Sequence, residues 1–253
     1  MPETNCQIAD QAAGGAPVRR HALVTRVWHW INALAVLIML MSGLMIFNAH
    51  PRLYWGEYGA NSDPAWLTIA ERGGVAFAGW ATIPTYYSLA DARLWHLAFA
   101  WVLAPALLGY LLWALLRGHV RRQLHITRAE WSPRHLWRDV LDHARLRFPT
   151  GAAALRYGVL QKLAYGGVLF GLLPLMIVTG LAMSPALDAA WPWLTGLFGG
   201  RQSARSVHFI AAFALVGFVA VHLAMVLLSG PLNQIRAMLT GWYRLPPDGK
   251  DAA

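Results

Sequence analysis

The sequence predicts an all-α membrane protein: a bundle of four transmembrane helices with both termini cytoplasmic, plus short amphipathic interfacial helices. Three observations carry this. Of 253 residues, 57% are hydrophobic and only 13% charged, against about a quarter charged in ordinary soluble domains. Four segments, at about 26–47, 94–116, 160–183 and 206–228, stay apolar over about 22 to 24 residues, long enough to cross a hydrocarbon core with some tilt. The charges are also lopsided. Segment 117–156 carries nine Arg against three acids, whereas 48–93 carries Arg52, Arg72 and Arg93 against four acids.

That asymmetry sets the expected topology. By the positive-inside rule the N-terminus, the loop 117–159 and the C-terminus are cytoplasmic. The loops 48–93 and 184–205 then face the periplasm of a bacterial inner membrane. The net charge of +9 is thereby read as a topology signal rather than a nucleic-acid footprint. The chain is expected to form one integral-membrane domain over 1–253.

Taken in order, the first twenty residues lack an apolar signal-peptide core, so the first span is expected to be its own insertion signal. The single cysteine, Cys6, sits in the polar N-terminal tail. It excludes an intrachain disulfide, a Cys-rich zinc site, an iron–sulfur cluster and a CxxCH haem attachment. The segment 48–93 is too long for a plain connector. Its aromatics (Tyr54, Trp55, Tyr58, Trp66, Trp80, Tyr86, Tyr87) suit either an ordered docking surface or an interfacial belt; WPWLTG in the second outer loop reads as belt. In the cytoplasmic loop, Ser132 and Pro133 open a helix as N-cap and first residue, and Leu136, Trp137, Val140, Leu141 and Ala144 make it amphipathic. PLNQIRAMLTGWY after the fourth span repeats the pattern through Leu232, Ile235, Leu239 and Trp242.

The chemistry is carried by histidines inside the spans. His208 and His222 lie fourteen residues apart in the fourth span, close to four helical turns and about 21 Å along one face. With the topology above, His29 and His222 fall near the inner face, and His96 and His208 near the outer one. A lone intramembrane His is commonly a helix–helix hydrogen bonder. Two depth-matched pairs, with one helix serving both levels, point instead to axial ligation of two haems: His29 and His222 for the inner, His96 and His208 for the outer. Bis-His ligation leaves no open iron position, which suits electron transfer.

Glycines repeat the spacing. Gly43 follows His29 by fourteen, Gly109 follows His96 by thirteen, and Gly166 and Gly180 are fourteen apart. Gaps at both levels would let porphyrin plates pass between helices; small-residue helix packing is the plainer reading. Arg19, Arg20, His21 and Arg26 at the inner level, and Arg93 and Arg205 at the outer, suit haem propionates or interfacial anchoring equally. A quinone needs hydrogen-bond partners beside an apolar slot, and Tyr157, Gln161, Lys162 and Tyr110 are candidates next to the inner haem. Lys162 snorkelling to headgroups is an equal reading.

TRVWHWINALAVLIMLMSGLMI followed by HPRLYWG, then RYGVLQKLAYGGVLFGLLPLMIVTGLAMSP, then VHFIAAFALVGFVAVH resemble the integral cytochrome b subunits of a broad family. It includes the gamma subunit of formate dehydrogenase, the cytochrome b of nickel–iron hydrogenase, thiosulfate-reductase-type cytochrome b and cytochrome b561-like proteins, and the thiosulfate-reductase type is the nearest in look. The resemblance covers about residues 20–243. It implies four helices holding two b haems and a quinone site by the inner haem. In similar members an Asn stands three residues before the QK pair; here that quinone-site position is Gly158. The resemblance further implies a periplasmic redox subunit as partner, often a molybdopterin oxidoreductase, with the quinone pool and the lipid bilayer as the other partners and homo-oligomers as one arrangement.

The expected function is a dihaem b-type cytochrome moving electrons between quinone and that partner. The alternative is a stand-alone cytochrome b561-like superoxide:quinone oxidoreductase, against which the large outer segment speaks. A His-lined metal transporter is the reading from a different class. Hard cations want oxygen ligands, and the four predicted spans contain no Asp or Glu.

Overall fold

The computed structural model describes residues 17–71 and 74–245; Cys6 and Arg72 lie outside them. All four predicted spans are helices long and apolar enough to cross a membrane: Leu23–Asn48, Leu89–Leu116, Ala153–Ala182 and Arg201–Leu228. Leu94, Leu97, Trp101, Leu108 and Leu112 of the second are exposed, the surface a lipid solvent requires and water penalises.

The helices begin earlier than hydropathy alone indicates, because polar caps extend them. Ser88 caps the second: its hydroxyl accepts the Asp91 N–H at 3.2 Å and donates to the Asp91 carboxylate at 2.9 Å, a reciprocal cap of the capping-box kind. The fourth starts at Arg201, right after Gly199 and Gly200 at φ 73° and 118°. A Cβ on Gly200 would meet the Gly56 carbonyl at 2.5 Å, so only glycine fits both the backbone and the close approach.

The third span is not regular. It runs as α-helix over Val159–Gly167, widens to a π-helical stretch over Val168–Leu172, and resumes over Leu173–Ala182. Pro174 explains the widening: in a regular helix its ring would clash with the Phe170 carbonyl, and it has no N–H to give. The fourteen residues from Gly166 to Gly180 therefore cross a wide turn and do not equal four regular ones.

The chain divides into two units. One comprises the residues up to His29, Gly109–Gly167 and Phe218 onward. Here Pro17–Arg19 pairs antiparallel with Trp242–Arg244, beside a small core of Ala154, Ala237, Tyr243 and Leu245. The helix Pro231–Thr240 ends on Arg26, whose guanidinium donates to the Met238 and Leu239 carbonyls, as a cation at a helix C-terminus should. The amphipathic helix forms over Pro133–Ala144 with Ser132 as its cap, the hydroxyl accepting the His135 N–H at 3.4 Å.

The other unit comprises Trp30–Leu108 and Val168–Gly217. Its segment after the first span is ordered by buried polar groups. Asn48 closes a two-way amide bond with the Phe77 backbone, both at 2.8 Å. Arg52–Leu53 pairs with Leu67–Thr68. Ser206 accepts the Trp66 indole N–H at 2.9 Å and donates to the Tyr54 carbonyl at 2.6 Å. Of the aromatics in this segment, Tyr54 is buried, whereas Tyr58 and Trp80 are exposed.

Candidate functional site

In the first unit, His29 of the first span faces His222 of the fourth, ring centres 6.4 Å apart. In the second, His96 faces His208 at 6.3 Å. The ring planes are inclined at 54° and 61°.

These separations fit one metal ion between two imidazoles. A metal–nitrogen bond of about 2.0–2.1 Å, with about 1.1 Å more from nitrogen to ring centre, sets coaxial ring centres about 6.3 Å apart. Among the described residues no three His, Cys, Asp or Glu side chains gather as a metal site. Each place thus offers two protein nitrogens, the set that porphyrin iron takes, rather than the four ligands of a structural zinc site.

The second pair is held tightly. His96 Nδ1 lies 3.1 Å from both the Met39 carbonyl and the Ser42 hydroxyl. His208 Nδ1 lies 2.8 Å from the Thr179 hydroxyl. The glycines sort into two kinds. A Cβ on Gly43 would stand 3.4 Å from His96 Cε1, and one on Gly180 3.7 Å from His208 Cε1; these two border a neighbouring imidazole at ordinary contact distance. Beside Gly109 and Gly166 nothing lies within 4 Å of a built Cβ, which leaves open space on the helix face.

Aromatic rings surround the His29–His222 pair. Phe218 stacks on His222 at 5.8 Å, and Tyr165 meets it edge-on at 6.2 Å. Tyr165 also touches Tyr157 at 5.4 Å, and Tyr110 stacks on Trp28 at 4.2 Å. Just ahead of the span, burial, then the charge of Arg20, hold His21 down at about 4, so it is neutral at pH 7.

Of the quinone-site candidates, Gln161 and Lys162 are already engaged. The Gln161 side-chain oxygen accepts the Gly158 N–H at 3.1 Å, while Lys162 donates to Glu130 at 2.6 Å and to the His125 carbonyl at 3.1 Å. Burial pushes the Glu130 carboxyl up, but hydrogen bonds from Lys162 and Thr127 outweigh it and leave it at about 2. Arg205 points to protein carbonyls, those of His50 and Arg52.

A family model described as prokaryotic cytochrome b561 matches residues 20–241. The chain belongs to that family. Among its relatives is a chain from Azospira oryzae provisionally named a protein-methionine-sulfoxide reductase subunit, YedZ1. It is 32% identical over 205 residues, covering 80% of this chain and 87% of the relative. A provisionally named Ni/Fe-hydrogenase B-type cytochrome subunit of Cupriavidus necator is 25% identical over 230 residues, covering 86% and 83%. The cytochrome of Escherichia coli provisionally named YdhU is 25% identical over 237 residues, covering 91% and 76%. No solved structure matches with significance. The protein is thus a multi-pass b-type cytochrome of the bacterial inner membrane, and its work is electron transfer.

Three side chains at these sites were not singled out from the sequence: Ser42, Thr179 and Tyr165. The first two had a signal available, since each is a hydroxyl directly before a glycine in an otherwise apolar helix. Tyr165 shares it, standing directly before Gly166.

Proposed function

We propose that this cytochrome carries two b haems, ligated by His29 with His222 and by His96 with His208, and passes electrons between quinone and a redox partner across the membrane. The observation that carries the reading is the pair of imidazole separations, 6.4 and 6.3 Å. Bound there, b-type haem supplies one-electron transfer. The chain supplies ligands, orientation and an apolar surround. Gly109 and Gly166 leave space on helix faces where a porphyrin edge would lie.

The arginine-rich segment 117–156 supports a cytoplasmic position for the His29–His222 end and for both termini. The quinone site belongs at that end, with Tyr157, Tyr110, Gly158, Gln161 and Lys162 around it. Because Lys162 is paired with Glu130, its part is to hold the wall of the site; Tyr157 and Tyr110 bring the hydroxyls there, that of Tyr110 being hydrogen-bonded to Thr25. The segment 48–93 is the docking surface for a periplasmic oxidoreductase of the molybdopterin class. The names of the Azospira and Cupriavidus relatives, a reductase subunit and a hydrogenase subunit, support a redox subunit as partner.

Replacing one ligand at a time tests this. H222A is expected to lose one haem and quinol-driven reduction while the other haem remains; H208A is expected to lose the other haem and keep quinol-driven reduction. Two haems retained in either variant would reject the pairing.

A further inference from the structure

We propose that Ser42 and Thr179 are positioning residues that lock His96 and His208 in the Nδ1–H form and strengthen them as iron ligands. This rests on the assignment of that pair to a haem.

The argument begins with proton counting. A hydroxyl has one proton to donate. Ser42 Oγ lies 2.7 Å from the Ile38 carbonyl and Thr179 Oγ1 lies 2.6 Å from the Leu175 carbonyl, each one turn back on its own helix. Carbonyls only accept, so both hydroxyl protons are committed there. Toward the imidazoles the hydroxyls have only lone pairs to offer. His208 Nδ1–H therefore donates to Thr179 at 2.8 Å, with the Met176 carbonyl as a second acceptor. His96 Nδ1–H is shared between Ser42 and the Met39 carbonyl, both at 3.1 Å; Met39 alone dictates the same tautomer. With Nδ1 protonated, Nε2 is the nitrogen left with a lone pair for a metal.

Back-bonded Ser and Thr are ordinary in apolar helices. What is not ordinary is the repetition. Each hydroxyl is fully buried and is followed at once by a glycine, Gly43 or Gly180, with the ring of another helix lying 3.4 or 3.7 Å, ordinary contact distance, from where a Cβ would be. The same two-residue step, hydroxyl then glycine, thus seats both imidazoles of one pair, from two different spans. A partner accepting from Nδ1–H makes the imidazole a stronger donor to the metal. That favours the ferric state and lowers the midpoint potential.

Potentiometric titration of the full-length protein, followed optically and by low-temperature electron paramagnetic resonance, tests this with T179V, T179S and S42A. T179V removes the hydroxyl at nearly constant volume. It is expected to shift the His96–His208 haem about tenfold toward the reduced state, about 59 mV upward for one electron, with the other haem unmoved and T179S close to wild type. S42A should shift the same way, since each imidazole keeps a backbone carbonyl as its other acceptor. Loss of that one haem in T179V with retention in T179S would also support the role. Wild-type potentials and spectra in T179V would overturn it, as would equal effects of T179V and T179S, which would indicate sterics. Loss of both haems in T179V would count against it too, since a local role leaves the other haem bound. H208A separates the two levels of the claim: if H208A retains both haems the ligand assignment has failed, whereas if it loses one and T179V changes nothing, only the hydroxyl role has failed.

Discussion

The carboxylate of Asp139 fills the space that a side chain on Gly158 would occupy. A Cβ built on Gly158 would meet its two oxygens at 3.1 and 3.3 Å, and Oδ2 accepts the Leu160 N–H at 2.9 Å. Gly158 is the residue before the helix that opens the third span, so it stands at the N-cap with no side chain to cap with. Asp139, from the amphipathic helix Pro133–Ala144, supplies the missing acceptor, and Gln161 satisfies the Gly158 N–H from within.

D139A should therefore lower the stability of the detergent-solubilised protein by about 1 kcal/mol, the usual worth of a lost cap. Adding G158N to it should restore most of the loss, because Asn caps in place and finds the vacated space. Thermal unfolding midpoints check this; a double variant no more stable than D139A would refute the substitution of one cap for the other.

Gly166 separates a cofactor cradle from simple helix packing. An Ala there meets no protein atom within 4 Å and gains helix propensity of up to about 1 kcal/mol, so G166A should be neutral or stabilising. G166L projects further into the open space. It is expected to lower the haem-to-chain ratio by one while the chain still folds. Full haem content in G166L would assign that space to lipid.

The Glu130–Lys162 pair predicts an acid dependence. The folded Glu130 sits at about 2, below the ordinary 4.5 of a Glu carboxyl. Its contribution is thus present above about pH 4.5 and fades as pH falls toward 2; as the pair is partly solvated, it is worth about 1 kcal/mol. Unfolding midpoints at pH 3 and pH 6 should differ less in E130Q than in the wild type. An unchanged difference would mean that the pair contributes nothing.

Ser206 anchors the segment after the first span through Trp66 and the Tyr54 carbonyl. S206A removes the acceptor of the Trp66 indole N–H and the donor to the Tyr54 carbonyl, at a cost of about 1 kcal/mol for each bond lost. Limited proteolysis between residues 50 and 71 should become several-fold faster, with both haems retained. Unaltered cleavage would show that Arg205 and Asn48 hold the segment without Ser206.

Much of the fold was legible because hydropathy and charge are bulk signals. Four apolar runs gave four helices, and Ser132–Pro133 gave a capped one. The helix starts were not legible from hydropathy, since Ser88 and the Gly199–Gly200 turn extend the helices with polar or small residues. Nor was the wide turn before Pro174, which breaks the arithmetic relating Gly166 to Gly180. At the site, spacing along one helix suggested which histidines share a level. It missed Ser42 and Thr179 because a buried hydroxyl acquires its second partner only when another helix arrives. It also left Lys162 open between quinone and headgroup, when its nearest partner is Glu130, 32 residues away in the chain.

The measurement that tests the central claim most directly is the reduced-minus-oxidised optical spectrum of the purified protein, with haem counted per chain. Two b haems per chain, both six-coordinate and low-spin, are the predicted result. One haem or none after gentle extraction, or a high-spin haem with an open position, would contradict the account built on His29, His96, His208 and His222.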